Sequence, residues 1–335
     1  MAIIAPENDS SVTTPDCCPG WELGLAELST QLVPPEYYDY LSKFSEEEAK
    51  ALPPYCYVDH TIPLIKGGKP LFGWIYSISD NDLKGLKAWI KENLAKSFIR
   101  VLSSSTASPI GIVRRPGSEP QVWVNYRTLN DITIKDRHPL PRIEETLNQI
   151  RGVKYITKID FCWYFHQIRI QEEDEWKTVF RSQCGLFAFL VMLFGLTNAP
   201  ATAQRFMNDT LREFLDLFCI IYIDDILIYS NNKWEHQEQV WKFLAKLKEA
   251  GLYAKVEKYE FSVKKTTFLG FIISTDSIEM DPAKVEAIHT WEAPKCVKDM
   301  QCFLGLANFY RHFIYRYSEM CQPLFELLKK DTLFN

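Results

Sequence analysis

Two adjacent aspartates, Asp224 and Asp225, interrupt a run that is otherwise mostly apolar or aromatic, Cys219-Ile-Ile-Tyr-Ile-Asp-Asp-Ile-Leu-Ile-Tyr-Ser230. Two neighbouring carboxylates in one buried strand would lose hydration and repel each other. A hairpin that bends at the aspartates avoids this cost, because it brings a carboxylate to a surface where a divalent cation can neutralise it. The pattern therefore predicts a metal-binding hairpin. A polar turn between two buried strands is the alternative.

Asp160 ends a second β-rich run, Ile156-Thr-Lys-Ile-Asp160. A lone aspartate at a strand end is usually a turn or capping residue, but a two-metal site requires such a second carboxylate. Mg²⁺ prefers oxygen ligands and uses few dedicated protein groups. Two such ions can lower the pKa of an attacking 3′-hydroxyl and hold a leaving pyrophosphate. Our hypothesis is that Asp160 joins Asp224 and Asp225 in a site of this kind.

The composition is that of a globular protein, with 335 residues, 47% hydrophobic and 24% charged. No apolar run reaches the roughly 18 residues that span a bilayer, and the first residues do not resemble a secretory signal. Nine scattered cysteines without CxxC spacing indicate reduced thiols in an intracellular protein. The net charge of −5 does not favour polyanion binding. A metal-dependent polymerase can nevertheless be acidic, because its carboxylates cluster at the metals.

Hydrophobic spacing, capping residues and turn signals predict helices and strands that alternate without a regular βαβ order. Helices are expected at 36–51, at 79–97 with Asp80 or Asn81 as N-cap, and at 143–150, 199–217, 234–251 and beyond 281. Strands are expected at 111–115 and 122–127, joined as a hairpin, and at 155–160, 166–170, near 261 and 268–273. This mixture favours an α+β architecture.

The segment Tyr222-Ile-Asp-Asp225 resembles the signature of the reverse-transcriptase palm. Other segments, in the same order along the chain, resemble the polymerases of gypsy-class LTR retrotransposons over about residues 50 to 330. They are Asn125-Tyr-Arg-Thr-Leu-Asn130, Thr133-Ile-Lys, His138-Pro-Leu-Pro, Lys158-Ile-Asp160, His166-Gln-Ile-Arg-Ile170, Lys177-Thr, Phe194-Gly-Leu-Thr-Asn-Ala-Pro-Ala-Thr202, Glu249-Ala-Gly-Leu, Lys258-Tyr-Glu-Phe, Phe268-Leu-Gly-Phe271 and Phe303-Leu-Gly-Leu-Ala-Asn-Phe-Tyr-Arg311. Many ordered blocks are far more specific than one Tyr-x-Asp-Asp motif.

The resemblance implies an α+β right-hand polymerase fold with fingers, palm and thumb, in which an antiparallel palm sheet packs on helices. Residues 1–30 are rich in Ser, Thr, Pro and acidic residues without a sustained period, which indicates a flexible leader, and an N-terminal extension is expected over 31–78. The fingers are then expected at 79–151 and the palm, with an interleaved fingers segment, at 152–260. Residues 261–335 are expected to hold the primer grip, the thumb and the start of a connection, with RNase H and protease absent from the chain.

The resemblance also implies the roles of individual residues. Asp160, Asp224 and Asp225 match the catalytic carboxylates that hold two Mg²⁺ ions, for which Mn²⁺ can substitute, and Lys258 matches a proton donor near the pyrophosphate. The nucleotide-binding positions are Arg114, Arg115, Gln121, Phe194, Gly195 and Phe165, whose ring would exclude a ribose 2′-hydroxyl. The template and primer positions are Arg127, Asn198 and a primer grip made of Phe268, Leu269 and Gly270.

Each of these positions also has a plainer interpretation. The arginines and Lys258 are of the type found on any solvated surface, Phe165 could be a core aromatic, and Gly195 an ordinary turn glycine. Without the resemblance, residues 268–271 indicate only a buried strand.

Five positions depart from the family pattern. Gln121 replaces an arginine, and an amide supplies neither the charge nor the fork of a guanidinium. Tyr164 stands in place of a glycine or alanine, where a phenol could fill the space that the nucleotide needs. The others are Asn125 for an aspartate, Leu193 for a proline and Ala203 for a phenylalanine.

These observations leave three hypotheses. The first is an RNA-directed and DNA-directed DNA polymerase that adds dNTPs to a primer annealed to an RNA or DNA template. The second is a catalytically impaired retroelement remnant that only binds nucleic acid, and the third is a purely structural protein. The resemblance further implies RNase H and integrase parts of a polyprotein as partners, no membrane, and an intracellular location in cytoplasmic virus-like particles, the nucleus, or both.

Overall fold

A computed structural model describes residues 32–45, 47–114, 120–255, 259–329 and 332. Two of the predicted site residues, Arg115 and Lys258, and the expected leader lie outside this part of the chain. Within the described residues, no helix combines the length and the apolar character that crossing a bilayer requires.

Helices and strands alternate irregularly along the chain, which confirms the predicted α+β class. The α-helices are α1 (Asp80–Ala95), α2 (Arg127–Ile132), α3 (Ile143–Gln149), α4 (Ala199–Thr210), α5 (Lys233–Glu249), α6 (Pro282–His289), α7 (Val297–Phe309) and α8 (Tyr317–Glu326). The strands are β1 (Ile99–Val101), β2 (Ser108–Val113), β3 (Gln121–Val124), β4 (Tyr155–Ile159), β5 (Phe180–Ser182), β6 (Gly185–Phe189), β7 (Cys219–Tyr222), β8 (Asp225–Ser230), β9 (Glu260–Val263), β10 (Lys265–Phe268), β11 (Phe271–Ser274) and β12 (Ile278–Met280). Shorter 3₁₀ segments are Pro35–Phe44, Glu48–Lys50, Tyr164–Gln167, Glu172–Thr178 and Arg311–Phe313.

The central sheet has four antiparallel strands in the order β7-β8-β4-β9. Side chains alternate between its faces, as strand geometry requires. Ile226 and Ile228 face a large core that includes Val240 and Phe243 of α5, whereas Leu227 faces a second core with Phe268 of β10. The sheet is therefore covered on one face by helix and on the other by the β10–β11 hairpin.

A second sheet has the order β1-β6-β5-β2-β3 and draws its strands from two separate stretches of chain. Its pairs are antiparallel except for β2 with β5, and the predicted β2–β3 hairpin is confirmed. Helix α1 contacts β1. Its N-cap is Ser79, whose hydroxyl accepts from the Asp82 backbone N–H, so the expected cap at Asp80 or Asn81 was one to two residues late.

Beyond residue 264, β10, β11 and β12 form an antiparallel sheet, and helices α6, α7 and α8 follow. Helices α7 and α8 bury a separate small core that includes Leu304 and Cys321. The assignment of these parts to fingers, palm and thumb with the residue bounds given above stays a prediction.

Three local predictions were wrong. The helix expected at 199–217 ends at Thr210, and residues 36–51 form 3₁₀ segments instead of an α-helix. The extended run expected at 166–170 begins inside the 3₁₀ segment Tyr164–Gln167, because Trp163 has a φ of 50° and turns the chain there. Helix α5 fits the prediction well, with Gly251 at φ 69° just past its C-cap.

Candidate active site

The two aspartates lie at the tip of the hairpin that joins β7 to β8. Tyr222 pairs with Asp225, so the connecting turn consists of only Ile223 and Asp224. Ile223 has a φ of 57°, a conformation that is a genuine outlier for a β-branched residue. Backbone strain of this kind costs about 1–3 kcal/mol and clusters at functional sites. The turn thus presents Asp224, which is exposed, and Asp225, which is half-buried.

A buried glutamine on α4 holds this turn in place. Gln204 is fully buried, and its Oε1 accepts from the Ile223 backbone N–H at 2.8 Å. Its Nε2 donates to the Ile221 carbonyl at 3.2 Å. Its role was not predicted from the sequence. A signal was present, because Gln204 adjoins Ala203 and precedes Met207 by one turn, and a glutamine on a buried helix face needs hydrogen-bond partners.

Asp160 follows β4 at the same end of the sheet. Strands β4 and β8 are antiparallel, with Ile159 opposite Ile226. Continuing this register by one residue places the backbone of Asp160 opposite that of Asp225, so the three predicted residues lie at the same end of the sheet. The hairpin predicted from the aspartate pair is confirmed, whereas the metal-binding role of the three residues stays a prediction.

The carboxylates suit a hard cation but do not form a complete protein cage. Among the described residues, no group of three histidine, cysteine or acidic side chains has the arrangement of a metal site. Magnesium usually takes one or two protein carboxylates and completes its shell with water and substrate phosphates. The donor set of Asp160 and Asp224 therefore fits Mg²⁺ in the company of a nucleotide.

Lys158 connects this edge to the β10–β11 hairpin. It lies two residues before Asp160 on the same face of β4, and its Nζ is 3.8 Å from Asp225 Oδ1. The same ammonium donates to the Thr267 carbonyl at 2.8 Å. Lys158 thus gives Asp225 a cationic neighbour. This contact was not predicted from the sequence.

Two of the predicted nucleotide-binding residues form an aromatic pair. The Phe165 ring is buried, and its centroid lies 4.3 Å from that of Phe194 in an edge-to-face contact. Phe194 is 73% exposed, so it offers a free ring face to solvent. The structure therefore brings together two of the predicted nucleotide-binding residues.

The loop after Phe194 is held by Asn130 of α2. Gly195 has a φ of 102°, a value that favours glycine. The Asn130 Nδ2 donates to the Gly195 carbonyl at 2.7 Å, and its Oδ1 accepts from the Thr197 backbone N–H at 3.0 Å. Asn130 belongs to a family motif but had no predicted role. Its two hydrogen bonds stabilise the loop.

Asn198 uses its side chain within the protein. It is buried, its Oδ1 accepts from the Asp136 backbone N–H at 3.0 Å, and its Nδ2 donates to the Ile134 carbonyl at 2.8 Å. Its predicted template role can therefore act only through the position of the loop. Arg127, at the start of α2, is exposed, and its backbone N–H donates to Asn125 Oδ1 at 3.2 Å.

Arg114 and Gln121 lie on the β2–β3 hairpin, away from the carboxylates in sequence. The Nε and Nη2 atoms of Arg114 lie 2.9 and 2.6 Å from Asp82 Oδ1. A hydrogen bond from Ser79 and then the bond from Arg114 hold the pKa of the Asp82 carboxyl below its usual value. Gln121 is exposed and pairs with Val113.

The predicted primer grip is the turn of the β10–β11 hairpin. Phe268 pairs with Phe271, and both turn residues have positive φ, 51° at Leu269 and 80° at Gly270, as in a type I′ turn. A Cβ at Gly270 would lie 2.9 Å from the Tyr310 hydroxyl. Because the Phe268 side chain is fully buried, only the turn itself can meet a ligand.

An antiparallel sheet with carboxylates at a hairpin tip, flanked by a second sheet and by C-terminal helices, defines the class of right-hand nucleic-acid polymerases. Residues 115–273 match the family model described as reverse transcriptase (RNA-dependent DNA polymerase). The chain carries a reverse transcriptase domain of the type found in the Pol polyproteins of gypsy-type retrotransposons.

Curated relatives and solved structures agree with this assignment. The chain is 37% identical over 268 residues to the Retrovirus-related Pol polyprotein from transposon 297 of Drosophila melanogaster, a match that covers 78% of this chain and 25% of that protein. It is 34% identical over 257 residues to the Transposon Tf2-3 polyprotein of Schizosaccharomyces pombe, covering 77% of this chain and 19% of the relative. The chain thus spans about a quarter or less of the length of these relatives.

The fold is similar to that of a foamy viral protease-reverse transcriptase in complex with double-stranded DNA. The TM-score is 0.77 at 22% sequence identity, with 94% of this chain and 58% of that chain covered. A second structure of the foamy viral enzyme, in complex with an RNA/DNA hybrid, gives a TM-score of 0.70 at 21% identity and covers 96% of this chain and 45% of that chain. The predicted right-hand polymerase fold is confirmed by this likeness.

Proposed function

We propose that this chain extends a primer on an RNA or DNA template with dNTPs, using Mg²⁺ held by Asp160 and Asp224 with Asp225 beside them. The observation that carries the proposal is the two-residue hairpin turn. It presents Asp224 at the end of the sheet where Asp160 follows β4. When bound, the metal ions would polarise the α-phosphate and the primer 3′-hydroxyl, and Mn²⁺ could replace Mg²⁺. The substrates, primer and template are part of the proposal.

Several residues of this chain would position the nucleotide. The Phe165 ring, fixed against Phe194, would meet a ribose 2′-hydroxyl and so favour deoxynucleotides. Arg114 has an exposed guanidinium that could exchange Asp82 for a triphosphate, since phosphate accepts the same paired N–H donors. Arg115 and Lys258 are proposed, on the resemblance alone, as a further triphosphate contact and a proton donor to the pyrophosphate.

The nucleic acid would be held by the turn of Leu269 and Gly270 at the primer end and by Arg127 near the template. The same proposal places the chain inside the cell, in a virus-like particle or the nucleus, with RNase H and integrase parts of a polyprotein as partners. A remnant that only binds nucleic acid is the second candidate. Gln121 favours it, because this exposed amide brings no charge to a triphosphate.

Primer extension on poly(rA)/oligo(dT) with Mg²⁺ or Mn²⁺ tests the proposal. We expect extension by the wild-type chain and its loss in Asp224→Asn, which keeps the shape of the side chain but removes its charge. Asp276→Asn is the matched control, because Asp276 is an exposed aspartate in the turn between β11 and β12. A folded wild-type chain that binds the primer–template without extending it would support the remnant instead.

A further inference from the structure

The side chain of Tyr164 does not project into the approach to the carboxylates. Its phenol is buried, and its hydroxyl donates to the Ala203 carbonyl of α4 at 2.8 Å. The ring stacks on Phe161 at a centroid distance of 5.3 Å. Burial, and then the charge of Asp224, raise the pKa of this phenol well above its usual value. The ring therefore lies beneath the site, close to Asp224 but enclosed by protein.

Local backbone geometry sends the ring in this direction. Trp163 has a φ of 50°, in the left-handed region, and Tyr164 begins a 3₁₀ turn immediately after it. The next side chain, Phe165, points to Phe194. The two neighbouring rings lie 5.6 Å apart, with Phe165 against Phe194 and the Tyr164 hydroxyl directed to α4.

Ala203 is the residue of α4 that the phenol contacts. It is fully buried, and its carbonyl is the acceptor for the phenol. Protein interiors are close-packed, so a large side chain at position 203 could enter only by displacing a neighbour. Relative to the family pattern stated above, position 164 has gained a ring and position 203 has lost one.

We propose that Tyr164 and Ala203 are a complementary pair that keeps the nucleotide approach open, with Ala203 acting as a positioning residue for the phenol. The inference rests on the proposed function for its consequence in nucleotide binding but not for the packing itself. A larger residue at 203 forces the phenol out toward Phe165 and Asp224. A smaller residue at 164 empties a buried space without opening the approach further.

A thermal double-mutant cycle on the full chain tests the packing. Ala203→Phe and Tyr164→Ala should each lower Tm by about 5–10 °C, and the double variant should recover to within about 3 °C of wild type. Ala188→Phe, in a separate core of β6, should lower Tm without rescue by Tyr164→Ala. Additive losses in the Tyr164–Ala203 cycle would overturn the pairing. Ala203→Leu replaces Ala203→Phe if the latter does not fold.

Nucleotide binding tests the consequence, measured as dNTP-dependent stabilisation of the complex with a dideoxy-terminated primer–template. Ala203→Phe, or Ala203→Leu in its place, should raise the dNTP concentration required about tenfold or more, with unchanged primer–template affinity, and adding Tyr164→Ala should reverse this. Unchanged dNTP binding by the variant at position 203 would overturn the inference. If the wild-type chain forms no such complex, the proposed function fails, while the thermal cycle still decides whether the two residues are paired.

Discussion

The hairpins β7–β8 and β10–β11 both close with two-residue turns, and their backbones make these turns in different ways. The first turn residue has a positive φ in both hairpins, 51° at Leu269 and 57° at Ile223, but only Ile223 is β-branched, and the second residue of the β10–β11 turn is Gly270 at φ 80°. Glycine enters this region without steric cost, but a β-branched residue does not. The difference locates the strain at the turn that carries Asp224.

The supports of the two turns differ as well. Gln204 holds the β7–β8 turn through hydrogen bonds to the backbones of Ile221 and Ile223, and His236 is hydrogen-bonded to Ser230 at the other end of the same hairpin. The β10–β11 turn instead has the Tyr310 hydroxyl beside Gly270, whose carbonyl accepts from the Asp281 backbone N–H at 3.4 Å. A strained turn persists only where its surroundings over-determine it. The β7–β8 turn therefore depends on polar side chains of residues distant in sequence, whereas the β10–β11 turn depends more on its own glycine.

Removal of the Gln204 hydrogen bonds should have the largest effect on stability and on primer extension. Gln204→Leu leaves the Ile223 N–H and the Ile221 carbonyl without their side-chain partner, and it should lower the free energy of unfolding by about 2–5 kcal/mol. Primer extension should fall roughly 100-fold, because Asp224 is no longer held in place. Urea denaturation and steady-state kinetics measure the two effects.

Gln204→Glu is the matched variant for this prediction. A protonated carboxyl can accept from the Ile223 N–H and donate its own O–H to the Ile221 carbonyl, so this variant should recover part of the stability as the pH falls. Wild-type kinetics in Gln204→Leu would show that the turn keeps its shape without the Gln204 hydrogen bonds, and the contrast between the two hairpins would then lose its basis.

The stability of the β7–β8 hairpin at its Ser230 end should depend on pH. His236 is buried, with Nε2 2.7 Å from the Thr157 hydroxyl and Nδ1 2.8 Å from the Ser230 hydroxyl. Burial lowers the pKa of His236 from 6.5 to about 4. The unfolded chain therefore binds a proton that the folded chain excludes. As a result, the contribution of His236 to the free energy of unfolding is fully present above pH 6.5 and is lost as the pH falls to about 4.

The expected size of the loss is about 3 kcal/mol from this histidine. Two other buried histidines, His60 and His166, also have a pKa lowered to about 4 and add to the same trend. His236→Gln, whose amide does not titrate, should flatten the decline between pH 7 and 4.5 in urea denaturation. The exposed His289→Gln should leave it unchanged, and an equal slope in both variants would refute the assignment.

Replacement of Gly270 in the β10–β11 turn should have a smaller effect on stability. Gly270→Ala places a methyl group 2.9 Å from the Tyr310 hydroxyl and an L-residue at φ 80°, and it should cost about 1–3 kcal/mol. Adding Tyr310→Phe removes the oxygen but not the φ strain. Recovery in that double variant, measured by thermal unfolding, would separate the clash from the strain, and full recovery would show that φ plays no part.

Much of the site could be predicted from the sequence because it is encoded locally. The hairpin at Asp224 follows from two charges inside an apolar run, and the strand ending at Asp160 follows from its own residues. The β2–β3 hairpin and helix α5 were likewise readable from turn and cap residues.

What escaped prediction depends on residues far apart in the chain. The contact of Gln204 with Ile223 spans 19 positions, and that of Lys158 with Thr267 spans 109. The direction of the Tyr164 ring depends on the left-handed backbone of Trp163, which no local signal announces. The helix expected after Thr210 fails for a related reason, because an apolar spacing alone cannot distinguish a helix from the turns that follow it.

The strain at Ile223 itself gives the smallest predicted effect and the most direct test of the contrast. Ile223→Leu keeps the side-chain volume but removes the β-branch, so the cost of a positive φ should fall and the chain should gain about 0.5–1 kcal/mol of stability. Ile221→Leu, two residues earlier in a buried strand position with ordinary backbone, should instead lose about 1 kcal/mol. Chemical denaturation of both variants measures the difference in sign. A loss of stability in both variants would mean that the turn accommodates the β-branch without cost. The β7–β8 and β10–β11 hairpins would then differ in sequence but not in strain.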